Sequence, residues 1–204
     1  ASLLCDSLIS EYGEDTFRRV DADESWSEGS EYCMYAFANV SYNTASIDRN
    51  TLYVSADYEV MEDVEWFGQA MVVQNSSFGR YAPPAAAWEN MSADNPHNPY
   101  GVDGAYGLYR WVGIGTRDGN VDDYNQDYTT GLRGMLDWNN AEWEVYYHFN
   151  MADNKSVGQY YLSYSGLAYN EQNGIDLGSD EGVANMKATT LQESSSRFHQ
   201  YYAG

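Results

Sequence analysis

Three runs of this chain, each of ten residues or more, alternate apolar and polar residues, and the run 51–60 does so strictly. In the run 51–60, Leu52, Val54 and Tyr58 fall on one side, while Asp57 and Glu59 fall on the other. The runs 124–136 and 142–151 alternate in the same way, and the second places Trp143, Val145, Tyr147, Phe149 and Met151 together. A period of two is typical of a strand with two different faces. Because ordinary strands average five or six residues, the runs predict unusually long strands.

The connections between these runs alternate in length. Residues 61–63 and 137–141 form short links, whereas 75–105, which holds all four prolines, and 170–194 are long and polar. Short turns on one side and long loops on the other, joined by long two-faced strands, are typical of an outer-membrane β-barrel. A soluble antiparallel sandwich also alternates apolar and polar residues, so it stays open as an alternative. We therefore predict an all-β fold of long antiparallel strands that forms part of a transmembrane barrel wall.

Composition narrows the possible functions. The chain carries 31 Asp and Glu against 10 Lys and Arg, a formal net charge of −21, which argues against nucleic-acid binding. Its 20 Tyr and 6 Trp supply buriable surface that disordered chains lack, and such rings also form the girdles of membrane barrels. The acidity has two interpretations, a saline habitat or a lumen that attracts cationic cargo, and its spread along the chain favours the habitat.

The only two cysteines, Cys5 and Cys33, enclose an acidic, polar stretch. An isolated pair in a cysteine-poor chain favours one loop-closing disulfide, formed in an oxidising compartment. Two unrelated free thiols are the alternative. With no His or further Cys close by, a metal site at the pair is not expected.

Several segments resemble a TonB-dependent receptor. The stretch 40–60 with 62–64 and 66–70 is similar to a barrel hairpin of that family, and 92–101 (SADNPHNPYG) is similar to its recurrent NPYNPFG segment. Residues 79–83, 109–112, 116–118, 126–134, 143–145, 164–170 and 186–190 extend the resemblance over nearly the whole chain. No TonB box or plug-like segment is found, and only six to eight strand candidates are present. The resemblance therefore implies that 1–204 is an internal piece of a receptor barrel.

The resemblance carries a set of expectations. It implies that 1–33 is a disulfide-closed extracellular loop and that 34–204 holds barrel strands and loops. The implied function is active uptake of a scarce ligand such as a siderophore, cobalamin or saccharide, at the outer membrane of a Gram-negative, marine or salt-adapted bacterium. The implied partners are outer-membrane lipid, the rest of the barrel and plug, and TonB only through the missing N-terminal part. Ligand contacts are expected from 75–105 and 170–194, with Trp88, Tyr100 and Trp111 as candidates. The alternative function is a soluble secreted acidic β-domain that binds glycans through Tyr and Trp.

Chemical sites are few. Asp118, Asn120 and Asp122 have the spacing that opens an EF-hand loop, but Asp123 and Thr129 stand where that loop needs Gly and Glu. We therefore expect a solvated acidic loop there rather than a calcium site. The three histidines, His97, His148 and His199, lack metal-ligand spacing, and His148 is expected to form hydrogen bonds on the polar side of its strand. No nucleophile elbow, Walker or zincin motif occurs, so we expect no enzyme activity and no cofactor.

Overall fold

A computed structural model describes residues 5–21, 23, 32–95, 98, 100–136 and 141–204. In chain order its elements are α1 (Cys5–Tyr12), β1 (Phe17–Val20), β2 (Tyr32–Tyr35), β3 (Ser46–Met61), β4 (Val64–Tyr81), β5 (Ala85–Met91), β6 (Ala105–Arg110), β7 (Arg117–Leu136), β8 (Ala141–Leu162), α2 (Tyr164–Asn173), α3 (Asp180–Met186) and β9 (Lys187–Ala203). The chain divides into two compact units. The first comprises 1–44, 79–118 and 158–189, and the second comprises 45–78, 119–157 and 190–204.

The second unit is built on a five-stranded sheet with the order β3-β4-β7-β8-β9. Its strands are 16, 18, 20, 22 and 17 residues long, so the long antiparallel strands that the sequence predicts are confirmed. Two residues separate β3 from β4 and four separate β7 from β8, as the short links require. Each of β3 and β9 has one neighbouring strand, so in the described part of the chain the sheet has two edges and does not close.

Several strands are longer than the apolar alternation indicates. The predicted long loop 75–105 is wrong, because it holds the end of β4 and all of β5. The predicted loop 170–194 is wrong, because it holds the end of α2, all of α3 and the start of β9. Polar residues sustain these extensions by pairing across strands. The Ser76 hydroxyl donates to Asp122 at 2.6 Å, and the Asn75 amide donates to Asp123 at 3.2 Å.

The first unit contains a core formed by β5, β6, α2 and α3. Ser163 and Ser179 cap the two helices by accepting hydrogen bonds from the amides of Gly166 and Gly182, and Gly174 ends α2 in the left-handed conformation. Capping lets two short helices of 10 and 7 residues hold their apolar residues against the hairpin. The core consists of Trp88, Met91, Ala105, Trp111, Ile114, Leu167, Leu177 and Met186.

A second core in the same unit surrounds the β1–β2 hairpin. Phe17, Tyr35 and Ala82 are buried there, with Leu8 and Ile9 of α1 packed against them. Cys5 and Cys33 form the disulfide that the sequence predicts, with their Cα atoms 5.4 Å apart. Residues 24–31 of the acidic stretch lie outside the described residues. Among the residues that the structure describes, no helix is long and apolar enough to cross a membrane.

Candidate functional site

The five-stranded sheet carries different side chains on its two faces. The register of β3 and β4 places Leu52 opposite Val72, Val54 opposite Ala70 and Tyr58 opposite Trp66. Residues directly opposite one another in an antiparallel pair share a face. We call this side the apolar face.

The apolar face continues across the other strands. The Trp66 indole donates to the Thr130 hydroxyl of β7 at 2.9 Å, which puts Thr130 on this side. The Tyr128 ring stacks on Phe149 of β8 at 6.2 Å, and Phe149 contacts the His199 ring of β9 at 5.0 Å. The apolar sides of all three alternating runs therefore lie on one face of one sheet.

The apolar face is largely exposed. The exposed fractions of Leu52, Val54 and Tyr58 are 64%, 54% and 68%, and Val145 is 39% exposed. A sandwich would bury such side chains between two sheets. In the described residues no second sheet covers them, and a large uncovered apolar surface marks an interaction with a membrane or another protein.

The opposite side, the polar face, carries hydrogen-bonded polar groups. Asp123 accepts from the side-chain amides of Asn75 and Asn154, and so joins β4, β7 and β8. Asp127 contacts His148 Nε2 at 2.8 Å and accepts from the Asn150 amide at 3.0 Å. His148 therefore forms the hydrogen bond expected of it on the polar side of its strand.

Near the short turns, the polar face becomes charged. Arg133 donates to Asp57 at 3.0 Å and to Glu65, and its guanidinium lies 5.3 Å from the centre of the Phe67 ring. The Phe67 ring approaches β7 closely because residue 131 is Gly. A Cβ atom there would lie 2.7 Å from the ring and 2.4 Å from the Val145 carbonyl oxygen. Glycine thus permits the Phe67 ring to lie against β7 and beside the Arg133 guanidinium.

The acidic loop predicted at Asp118, Asn120 and Asp122 is wrong, because these residues lie in β7. The extended backbone directs their alternate side chains to one side instead of wrapping them around a cation. Arg80 makes a two-point contact with Asp118, donating to both carboxylate oxygens at 2.8 Å. In the described part, no group of three His, Cys, Asp or Glu residues has the geometry of a metal site.

The expected ligand-contacting aromatic residues have different positions. Trp88 and Trp111 are 6% and 4% exposed and belong to the first unit's core, because helices α2 and α3 cover the hairpin that carries Trp88. Neither ring is therefore accessible to a ligand in this conformation. Tyr100 is 58% exposed, which leaves its ring accessible.

The segment 92–101 is organised by Asn98. Its side-chain amide donates to the carbonyl oxygens of Ser92 and Val102, and its Oδ1 accepts from the Tyr100 amide. These three bonds close the segment and present Tyr100 at the surface. His97, Pro96 and Pro99 lie outside the described residues.

Electrostatics in the first unit centre on Arg110. Its guanidinium donates to the Pro83 carbonyl oxygen at 2.8 Å and lies 5.4 Å from the Tyr35 ring centre. The pKa of Arg110 is lowered mainly by burial and, to a smaller extent, by repulsion from the Arg117 charge. Burial also raises the pKa of the Tyr35 hydroxyl, and the nearby Arg110 charge opposes that increase. Arg110 is thus a half-buried cation that links the β5–β6 hairpin to Pro83, which precedes it, and to Tyr35 of β2.

No protein-family model, curated protein or solved structure matches this chain. The site is thus defined by its own geometry, which is a sheet with one exposed apolar face and one hydrogen-bonded polar face.

Proposed function

We propose that the chain is a wall segment of an outer-membrane β-barrel of the TonB-dependent receptor type. The observation that carries the proposal is the exposed apolar face of five long strands that are neighbours in one sheet, with a hydrogen-bonded polar face behind it. In a membrane barrel, lipid covers the apolar face, and the polar face borders an aqueous or protein-filled lumen. The two edge strands would pair with further strands of the same barrel, since open edges are not tolerated in hydrocarbon.

The height of the apolar face supports a membrane position. On β8, its apolar residues run from Trp143 to Met151. Eight steps of about 3.4 Å give roughly 27 Å along the strand, or about 21 Å along the membrane normal at a tilt near 40°. The apolar band of such barrels is about 25 Å tall.

The ligand-gathering role belongs to the first unit in this proposal. It combines 79–118 and 158–189, which contain most of the two long segments expected to contact ligand, with 1–44. Exposed Tyr100, held by Asn98, is the candidate contact. The proposed activity is uptake of a scarce ligand such as a siderophore, cobalamin or saccharide, coupled to TonB through the remainder of the receptor.

Fluorescence at neighbouring residues on opposite faces tests the membrane position. Val54 and Ser55 are adjacent, both exposed, and on different faces of β3. Each would be changed to Cys and labelled with the fluorophore NBD, with the native disulfide left oxidised. The labelled chains are then refolded into vesicles of phosphatidylcholine that carries brominated acyl chains.

The label at Val54→Cys should emit at shorter wavelength and be quenched by the brominated chains, because lipid surrounds it. The label at Ser55→Cys should remain unquenched. Water-like, unquenched emission at both positions, with a monomer in detergent-free size-exclusion chromatography, would contradict the proposal and favour the soluble glycan-binding alternative.

The receptor family is tested separately by the coding sequence on either side of this chain. A plug domain upstream and additional alternating strands downstream would support the proposal. A flanking sequence with neither would leave a membrane sheet of another kind and contradict the receptor assignment.

A further inference from the structure

Strand β9 carries a cation, Arg197, at the end of the apolar face. His199 of β9 lies on that face because its ring contacts Phe149, and Tyr201 lies there because its ring is 5.1 Å from Tyr147. Alternation places Arg197 on the same side, two residues nearer the long connections. The paired backbone bonds between Glu144 and Gly204 set a register in which Arg197 stands beside Met151 of β8.

Arg197 stands where the apolar face ends. Beyond it the same face carries the ion pair of Lys155 with Glu193, at 3.4 Å, and the hydrogen bond of Ser76 to Asp122. On the other side lie Met151 and Phe149. An arginine at the middle of a membrane barrel costs about 2–4 kcal/mol, but near the interface the cost falls to about 0–1 kcal/mol. Its position therefore matches the level of lipid headgroups.

Arg197 also has no partner among the residues that the structure describes. It is exposed, and within the described ranges it has no ion pair or hydrogen bond, although 31 acidic residues outnumber 10 basic ones. Asp153 lies on the same face as Lys155, yet it forms no ion pair with Arg197 among the described contacts. A guanidinium left free in so acidic a chain is suited to a ligand with oxygen acceptors.

We propose that Arg197 binds the phosphate of an anionic lipid headgroup at the long-loop boundary of the membrane. The guanidinium fork matches two phosphate oxygens, and the neighbouring rings of His199, Phe149 and Tyr147 would lie against the upper acyl chains. This inference rests on the proposed function, because it needs lipid against the apolar face.

The test compares two lipids at one labelled position. Ser195→Cys, on the same side of β9 as Arg197, would carry NBD in otherwise wild-type full-length chain. Vesicles contain phosphatidylcholine and phosphatidylglycerol in equal amounts, with bromine in the upper acyl chains of one lipid or of the other. The ratio of the two quenching values reports which lipid occupies the position.

Arg49 provides a matched control. It is also exposed and without a partner among the described residues, but it lies opposite Asn75, whose amide bonds Asp123 on the polar face. R197Q and R49Q therefore change the net charge equally on opposite faces. We expect brominated phosphatidylglycerol to occupy the position about fivefold more than phosphatidylcholine, since one Arg near an anionic surface contributes about 1 kcal/mol. R197Q should bring the ratio close to one, and R49Q should leave it unchanged.

The outcomes separate this inference from the proposed function. Equal quenching by both lipids in the wild type would overturn the headgroup site while leaving the membrane position intact. No quenching by either lipid would overturn both. A preference abolished by inorganic phosphate in the buffer, or lost equally in R49Q, would also overturn the site, as it would indicate a free-anion or net-charge effect.

Discussion

The disulfide gives the most quantitative prediction. It joins Cys5 of α1 to Cys33 of β2 across a separation of 28 residues. In the chain-entropy description, closing a loop of that size removes about 12 cal/mol/K from the unfolded state, or about 3.6 kcal/mol at 25 °C. Cys5 is fully buried, so Ala is the replacement that leaves no unpaired hydroxyl.

Hydrogen exchange measures this contribution locally. In the C5A/C33A variant, the slowest amides of β1 and β2 should exchange roughly 400-fold faster, which is the factor that about 3.6 kcal/mol corresponds to. Reduction of the wild type should reproduce most of this change without removing side-chain atoms. Amides of β4 and β7 in the second unit serve as the internal control and should be unaffected.

If amide exchange in β1 and β2 accelerates less than about tenfold, loop entropy does not determine the stability of the hairpin, which contradicts the prediction. The prediction is equally refuted if β4 and β7 accelerate to the same extent, because the disulfide would then stabilise the chain as a whole.

Three further changes test the packing and the charges. Gly131→Val should lower the yield of folded protein in detergent, because the valine side chain would collide with Phe67. The yield is measured by the gel mobility of unheated samples, and an unchanged yield would contradict the prediction. Asn170→Leu should destabilise the first unit by about 2–3 kcal/mol in urea melts, because the fully buried side-chain amide of Asn170 donates to the Gly182 carbonyl oxygen. The control is Asn173→Leu on the surface, which should destabilise the unit less. Burial raises the pKa of Tyr35 above its ordinary value of 10.0, so its contribution to folding is fully present below pH 10.0 and should be lost as pH rises through the raised pKa. Tyr35→Phe should reduce the loss of stability in alkaline melts, and the remaining loss comes from groups such as Tyr12 and Tyr109, whose pKa values are also raised; an unchanged loss would contradict this.

The strand content could be predicted because alternation is a local signal. Leu52, Val54 and Trp143 identify apolar sides without any knowledge of the partner strand. The ends of β7 and β8 could not be predicted, because their polar residues are stabilised by hydrogen bonds to residues far away in the sequence. Asp123, for example, accepts hydrogen bonds from Asn75 and Asn154. Such partners are 31 and 48 residues away, and no short window contains them.

The first unit was less predictable for a different reason. Helices α2 and α3 are short and weakly amphipathic, so they gain stability from caps and from the core rather than from their own sequence. Trp88 was a candidate ligand contact because it occurs in the long polar segment 75–105, yet residues of α2 and α3 pack against it in the core. Cys5 and Cys33 were predictable, since the chain offers no other pairing. Arg197 could be placed at the edge of the apolar face only once its register with Met151 was known.

The first unit assembles from three stretches that are far apart in the chain. Its larger core needs Trp88 from one stretch and Met186 from another, so this core cannot close on a growing polypeptide until Met186 has been synthesised. The smaller core around the hairpin of β1 and β2, in contrast, uses no described residue later than Val112. Biogenesis should therefore pass through a stage in which the oxidised β1–β2 hairpin is complete while the tryptophans of the later core still require protection by a chaperone.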